Sequence, residues 1–303
     1  MTVVLPTIGR PELIRRCLES LACCEPRADE ILVVDSSHDS AVADVVAGFA
    51  EAGVRRIPYS TPGLGNAFNL GLREAKHEIV LLTNDDCTVE RSWVGRGLRH
   101  VSQADDAIVT GRVRPHGDNT DRVPSTIDDP VRREYVGRPI FVLYTQCMSL
   151  RRADVLEIGG FDGRIQPSAE DNDLSYRWLR AGRRIRYEPD FIVWHHDWRT
   201  PEQLERLYVN YGRGQGAVYA KHLRKGDLAV LRLVSRDLYA GARGLASGYI
   251  RGRPRWTDPR QGLIRGLPIG LIRGWQAYRA GNEDFSALER LFEADVPGPV
   301  SSG

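Results

Sequence analysis

The residues best able to do chemistry fall into four clusters. Asn84-Asp85-Asp86 follows directly on the apolar run Glu78–Thr83 (EIVLLT). Adjacent carboxylates at a buried strand end repel each other unless a cation or hydrogen-bond donors neutralise them. Hard oxygen ligands of this kind suit Mg²⁺ or Mn²⁺, which bridge to substrate phosphates. The same tripeptide is also good turn chemistry. Glu170-Asp171-Asn172-Asp173 stands at the start of an expected helix. Acidic residues there complement the helix dipole, but four polar residues exceed what one cap needs, which leaves room for a general base. Trp194-His195-His196-Asp197 closes an expected strand and offers imidazole either to a metal or to the core. Thr61-Pro62-Gly63-Leu64-Gly65-Asn66 has the composition of a phosphate-cradling turn, or of any strand–turn–helix. A Walker A lysine, a Gly-x-Ser-x-Gly elbow and a Cys-x-x-Cys pair are absent from the sequence.

The elements that must carry these residues alternate. Thr2–Leu5 reads as a strand and Pro11–Ala22 as an amphipathic helix with proline in its first turn. Glu30–Asp35 (EILVVD) has the unbroken β-branched character of a strand buried on both faces. Ala41–Ala52 reads as a helix, Val54–Pro58 as a short strand, Asn66–Lys76 as a helix and Glu78–Thr83 as another buried strand. Such alternation predicts βαβ units in a mostly parallel sheet, with ligands beyond the carboxyl ends of the strands. Asp35 and Asn84-Asp85-Asp86 stand at two of those ends. Residues 115–138 are polar and aperiodic, which predicts a long loop or lid. The apolar stretch Pro139–Leu150 leads to Gly159-Gly160-Phe161-Asp162, then a helix over Glu170–Ala181 ended by Gly182, and a strand over Arg186–Trp194. Beyond residue 201 the chain reads as helical and basic, with a Gly/Pro/Ser tail after Pro297. Leu-Ile-Arg-Gly occurs at 263–266 and again at 271–274, and Pro268 between them argues against one continuous helix.

Composition bounds the reading. The chain has 303 residues, 42% hydrophobic and 27% charged, which excludes a disordered or fibrous chain and is ample for a buried core. The net charge of +2 conceals an asymmetry: residues 221–280 carry 13 Lys or Arg against 3 Asp, while residues 1–220 carry 28 basic and 32 acidic side chains. A basic segment of that kind is a solvated helical surface or meets phosphates, anionic lipid or nucleic acid. Five cysteines, an odd number without metal-finger spacing, fit a reducing compartment. The opening MTVVLPTIGR lacks the basic start of a signal peptide, and no apolar run approaches the roughly 18–20 residues of a membrane span. A cytoplasmic protein, at most touching the inner face of the membrane, is expected.

Taken in order, these pieces resemble a family 2 glycosyltransferase of the GT-A type. Val3-Val4-Leu5-Pro6-Thr7 with Arg10-Pro11-Glu12-Leu13 is similar to the family's first strand and nucleotide loop. Ile31–Ser37 is similar to the second strand, whose terminal aspartate recognises the nucleoside, and Gly63–Leu72 with Ala75 to the segment before the metal strand. Asn84-Asp85-Asp86 stands where the family has Asp-x-Asp, with Asn for its first Asp. Gly159-Gly160-Phe161-Asp162, Glu170-Asp171 with Leu174 and Arg177, Ala181-Gly182, Pro189 and His195 follow the acceptor-side pattern. The likeness covers residues 2–200. Phe68 departs from it, standing where many members have Arg.

The resemblance implies an α/β fold: a Rossmann-like, mostly parallel central sheet flanked by helices, with a helical basic C-terminal region. Residues 1–110 would be the nucleotide-sugar half, 111–200 the acceptor half of the same domain, and 201–303 the helical region. It implies metal-dependent, inverting transfer of a sugar from a nucleotide diphosphate sugar to an acceptor hydroxyl or amine. Pro6, Thr7, Arg10, Asp35, Gly65, Asn66, Asn69, Asn84 and Asp85 would bind the nucleotide sugar. Asp86, with His195, would hold Mg²⁺ or Mn²⁺. Asp171 would be the base, with Glu170 its nearest competitor. The acceptor would be a saccharide, a lipid-linked saccharide or a small molecule, with peripheral membrane contact through residues 221–280 and no nucleic acid. A nucleotidyltransferase, which shares an α/β nucleotide domain and acidic metal ligands, is the rival enzyme. A binding protein anchored by its basic region is the rival outside enzymes.

Overall fold

A computed structural model describes residues 1–61, 63–252 and 258–278. Pro62, part of residues 221–280 and the tail after Pro297 lie outside the described residues. The chain divides into two compact units, Met1–Asp162 with Asp171–Thr200, and Gly163–Glu170 with the chain from Pro201.

The first unit is built on one mixed sheet. Strands β1 (Thr2–Thr7), β2 (Glu30–Asp35), β3 (Val54–Pro58) and β4 (Ile79–Leu82) lie parallel in the order β3-β2-β1-β4. Every residue of β1 and β2 is buried, as their uninterrupted apolar character requires. Alternation sorts their side chains to two layers. Val3, Leu5, Ile31 and Val33 join a cluster with Ile14, Leu18 and Leu21 of α1 (Pro11–Ala22) and Val42, Val45 and Val46 of α2 (Ala41–Ala47). Val4, Leu32 and Val34 join Phe68 and Leu72 of α3 (Leu64–Glu74) and Leu174 and Trp178 of α6 (Glu170–Arg180). Phe68, at the position of the missing Arg, is wholly buried and stacks on Phe161 with ring centroids 5.3 Å apart.

The sheet continues from β4 into β8 (Met148–Arg151, antiparallel), β6 (Ala107–His116, antiparallel to β8), β9 (Arg184–His196, parallel to β6) and β5 (Cys87–Val89, antiparallel). Parallel pairing thus holds through the first four strands, and the rest is mixed. The ladder of β6 and β9 shifts register between Gly111 and Arg112. A Cβ at Gly111 would overlap the Phe191 carbonyl, so the crossing tolerates no side chain there. Helices α4 (Trp93–Ser102) and α5 (Arg152–Glu157) complete the unit.

Three expectations need correction. The helix over Ala41–Ala52 stops at Gly48 and resumes as a short 3₁₀ turn, Ala50–Ala52. Residues 115–138 are not one free loop: Ile127 bridges to Val113, and Arg133–Tyr135 forms a strand, β7, antiparallel to β9. Pro268 does not divide its helix.

The second unit contains α7 (Pro201–Arg224), α8 (Leu231–Arg251) and α9 (Pro259–Ala277), with Pro268 inside α9. An internal proline costs about 3 kcal/mol. Close backbone packing offsets it: Gly262, Gly266, Gly270 and Gly274 recur every fourth residue of α9, where a Cβ would overlap Tyr208, Val209, Arg213 and Ala217 of α7. Among the described residues, no helix is long and apolar enough to cross a membrane.

Candidate active site

The strands that open the crevice are β1 and β4. Their ladder ends at Val4↔Leu82, whereas β1 stays paired with β2 as far as Thr7↔Asp35. The strand order also reverses between β1 and β4, the position where open α/β sheets bind ligands. Pro6 fits this divergence. The Val4 carbonyl accepts from Thr83 on the β4 side, and two residues on, where β4 has left, no N–H is required.

Asp85 and Asp86 line the start of β5, and the protein treats them oppositely. Asp85 Oδ2 accepts from the Thr7 hydroxyl at 2.6 Å and from Arg10 Nε at 2.9 Å, while Arg10 Nη2 lies 2.9 Å from Oδ1. Burial pushes its carboxyl up to about 6, and the Asp86 charge adds to that, against the pull of Arg10 and Thr7. Burial opposes the charge of Asp86 as well, but His195, Arg199 and Arg10 outweigh it and hold its carboxyl well below the usual range. Asp86 Oδ2 accepts from Trp198 Nε1 at 3.0 Å and from Arg199 Nη2 at 3.2 Å. The Arg10 and Arg199 guanidiniums lie 5.1 and 4.1 Å from the Trp198 ring. The sequence cluster Trp194-His195-His196-Asp197 leaves out Trp198 and Arg199; the cue is a further aromatic–cation pair just past the strand.

The two histidines separate by role. His196 Nδ1 is 2.9 Å from Arg16 Nη2 and its Nε2 2.9 Å from Thr88 Oγ1. Arginine only donates, so Nδ1 accepts and Nε2–H donates to Thr88. Burial, then Arg16, holds the ring down at about 4, which keeps it neutral. His195 is buried, its Nε2 is 3.2 Å from Asp86 Oδ2, and its Nδ1 has no hydrogen-bond partner. A buried imidazole set against a buried carboxylate fits a divalent cation, with Asp86 and His195 as donors. Asn84 adds a buried side-chain oxygen that lacks a partner. Among the described residues one group of three ligand side chains, His100, Glu188 and Asp190, gathers closely enough for a metal, and it includes neither Asp86 nor His195. There Arg99 lies 3.0 Å from Asp190, and Arg132 and Arg186 each lie 2.6 Å from Glu188, so the carboxylates are already neutralised as an ion-pair network.

On the other side of β1, Asp35 accepts from the Ser37 backbone N–H at 2.9 Å and from Arg56 Nε at 2.7 Å. Helix α3 opens after Gly63 without a side-chain cap, and Gly65 and Asn66 lie in its first turn. Asn69 is engaged within the chain. Its Nδ2 donates to the Phe161 carbonyl at 2.7 Å and its Oδ1 accepts from the Phe161 N–H at 2.9 Å, so the amide is committed to holding the Gly159–Asp162 turn. Gly160 there has φ +65°, and a Cβ would overlap Asn69 Oδ1. Arg177 Nη1 secures the same turn through the Ile158 carbonyl at 2.8 Å. Asp171, half-buried in the first turn of α6, has its carboxyl pushed up to about 6 by burial, against the N–H groups of Asn172 and its own backbone. Burial and the Asp171 charge push the Tyr144 phenol up to about 12. Glu170, the preceding residue, is buried.

A family model for glycosyl transferase family 2 matches residues 2–159. The chain belongs to that family. A pre-mycofactocin glycosyltransferase of Mycobacterium tuberculosis is 30% identical over 210 residues, which span 66% of this chain and 43% of that protein. The chain thus spans less than half the length of this relative. The amylovoran biosynthesis glycosyltransferase AmsE of Erwinia amylovora is 24% identical over 61% of this chain and 70% of its own. Among solved structures, the mannosyltransferase PcManGT of Pyrobaculum calidifontis, in complex with GDP-Man and Mn²⁺, superposes with a TM-score of 0.65 at 21% identity, covering 89% of this chain and 86% of that one. TarS 1–349 of S. aureus with UDP gives 0.55 at 18%, covering 92% and 91%. The fold of this family 2 chain is therefore GT-A.

Proposed function

We propose that the protein is a metal-dependent, inverting glycosyltransferase that takes a sugar from a nucleotide diphosphate sugar. The observation that carries this reading is the unequal pair at the strand switch: Asp85 tied to Thr7 and Arg10, Asp86 kept ionised beside the buried His195, whose Nδ1 lacks a hydrogen-bond partner. Asp86 and His195 would hold Mg²⁺ or Mn²⁺, which supplies charge neutralisation for the leaving diphosphate. The relatives named above include one crystallised with GDP-Man and Mn²⁺ and one with UDP.

The remaining roles fall to the chain. Asp35, fixed by Arg56, accepts hydrogen bonds from the nucleoside, against a wall formed by Pro6 and Thr7. Gly65 and Asn66 present the first-turn N–H groups of α3 toward anionic oxygen. Arg10 and Arg199, stacked about Trp198, supply the positive charge that Phe68 cannot. Asp171 removes the acceptor proton as the acceptor hydroxyl or amine attacks the face opposite the diphosphate. The acceptor class is a saccharide, a lipid-linked saccharide or a small molecule, met by a cytoplasmic enzyme with peripheral membrane contact through residues 221–280.

Incubation with a panel of nucleotide sugars and Mn²⁺ tests the reading. Release of nucleoside diphosphate, lost in Asp86→Ala, is expected. Pyrophosphate as the product would replace the reading with nucleotidyl transfer.

A further inference from the structure

Helix α8 has two apolar faces, and its own unit covers only one. The covered face is Leu233, Asp237, Gly241, Gly244 and Gly248. Cβ atoms at these glycines would meet Ile264, Arg260 and Gln261 of α9, so this face is packed to backbone distance. Asp237 points the same way and accepts from the Tyr219 hydroxyl at 2.6 Å. About a third of a turn round, Leu231, Leu238 and Leu245 repeat every seventh residue, two helical turns apart, with Tyr249 one turn further on. All four are exposed, Tyr249 at 92%. Tyr239 and Ile250 widen the stripe, Ile250 at 80% exposed. Single exposed leucines are ordinary, but a contiguous stripe along a five-turn helix marks a contact surface.

The charges beside the stripe identify what it contacts. Arg232, Arg236 and Arg243 are exposed and spaced i, i+4 and i+11, a row along the flank that Tyr239 and Ile250 share. The helix has one acidic residue, Asp237, and it faces inward, where Arg236 Nε reaches it at 2.9 Å. An exposed apolar stripe with an arginine flank and no exposed carboxylate is the pattern of a helix lying in a lipid headgroup layer. A second copy of the chain would bring the same arginines and no exposed α8 carboxylate to receive them.

We infer that α8 seats the protein on an anionic lipid surface, apolar stripe inserted and arginines against the headgroup phosphates. This deepens the peripheral contact read for residues 221–280. Vesicle binding is scored without donor or turnover, so its failure leaves the transferase reading standing.

The test is co-sedimentation of the full chain with vesicles of phosphatidylcholine alone and of phosphatidylcholine mixed with phosphatidylglycerol. The chain should partition onto the mixed vesicles and far less onto the neutral ones, and the difference should shrink as salt rises. Leu238→Glu with Leu245→Glu should abolish binding to both. Arg232→Gln and Arg243→Gln should each weaken binding to the mixed vesicles about fivefold, the effect of one basic residue near such a surface. Both arginines are exposed, so these variants test the proposal even if the double Glu variant misfolds. Equal partition onto both vesicle types, no partition, or unchanged binding by the variants overturns the inference. Sedimentation velocity showing a dimer that Leu238→Glu with Leu245→Glu dissolves, without vesicle binding, would give the face to a second copy instead.

Discussion

Asp171 and the Asp85–Asp86 pair show how placement divides identical side chains into different roles. Asp171 titrates near 6 because burial disfavours its charge, so near neutral pH it is ionised yet basic enough to take a proton. As the proposed base it would act only in the transition state, so Asp171→Asn should keep nucleoside diphosphate affinity while turnover falls by roughly 10²–10⁴-fold. The sign of the pH dependence follows: the base must be unprotonated, so turnover of the parent chain should fall as pH drops through about 6. Residual turnover of Asp171→Asn should lack that limb. Glu170→Gln should cost less, and the reverse order in steady-state assays would transfer the role to Glu170. Arg10→Ala probes the other pair. It strands the Asp85 carboxylate, buried beside Asp86, and should cost about 3 kcal/mol in urea unfolding at pH 8. Arg10 pulls the Asp85 carboxyl down, so its loss raises that carboxyl above about 6, and the deficit should be largest at alkaline pH and shrink as pH falls toward about 6. Adjacency made Asp85 and Asp86 legible in the sequence. The contact of Asn69 with Phe161, 92 residues on, was not legible, because an amide at a helix face looks the same in sequence whatever it meets. Nothing local to Arg199 says that its guanidinium turns back to Asp86.

At the scale of elements, apolar periodicity carried the reading where burial is simple. Pro11–Ala22 and Glu30–Asp35 have the bounds their patterns imply because each has one continuous buried face or two, and Val54–Pro58 keeps its bounds with only Val54 buried. Periodicity failed where small residues do the packing. The glycines at 262, 266, 270 and 274 carry no hydrophobic signal, and the two Leu-Ile-Arg-Gly copies seemed divided by Pro268. What keeps α9 continuous is its backbone contact with α7, which no local pattern records. The contact makes a sharp prediction. A side chain at Gly270 would overlap the Arg213 carbonyl, backbone that cannot rotate away. Gly270→Val should therefore lower stability by about 3 kcal/mol or more, seen as lost helicity at a lower urea midpoint. A midpoint within error of the parent chain would mean that α7 and α9 are not in backbone contact.

For the whole molecule, the small net charge of +2 is a balance between slightly acidic residues 1–220, a strongly basic segment at 221–280 and an acidic end at 281–303, where one Arg stands against five Asp or Glu. At the strand switch Arg10 and Arg199 converge on one ring, each paired with a carboxylate, Asp85 and Asp86. A nucleoside diphosphate that binds only the folded chain must stabilise it by mass action, by about 2.7 kcal/mol at a concentration 100 times its Kd. For a chain of this length that is a rise of several degrees in Tm, at about 2–4 °C per kcal/mol. The rise should have two separable parts. One comes from Asp35 and the first turn of α3 and should survive chelation. The other needs the cation on Asp86, so EDTA should remove it from the parent chain, and Asp86→Ala should show the EDTA-treated value with or without Mn²⁺. Comparing UDP with GDP under both conditions then identifies the base, since only the first part depends on it. A thermal shift by either nucleotide that neither EDTA nor Asp86→Ala alters would show that donor binding proceeds without a cation at Asp86, and the metal assignment would fall while the nucleotide site stood.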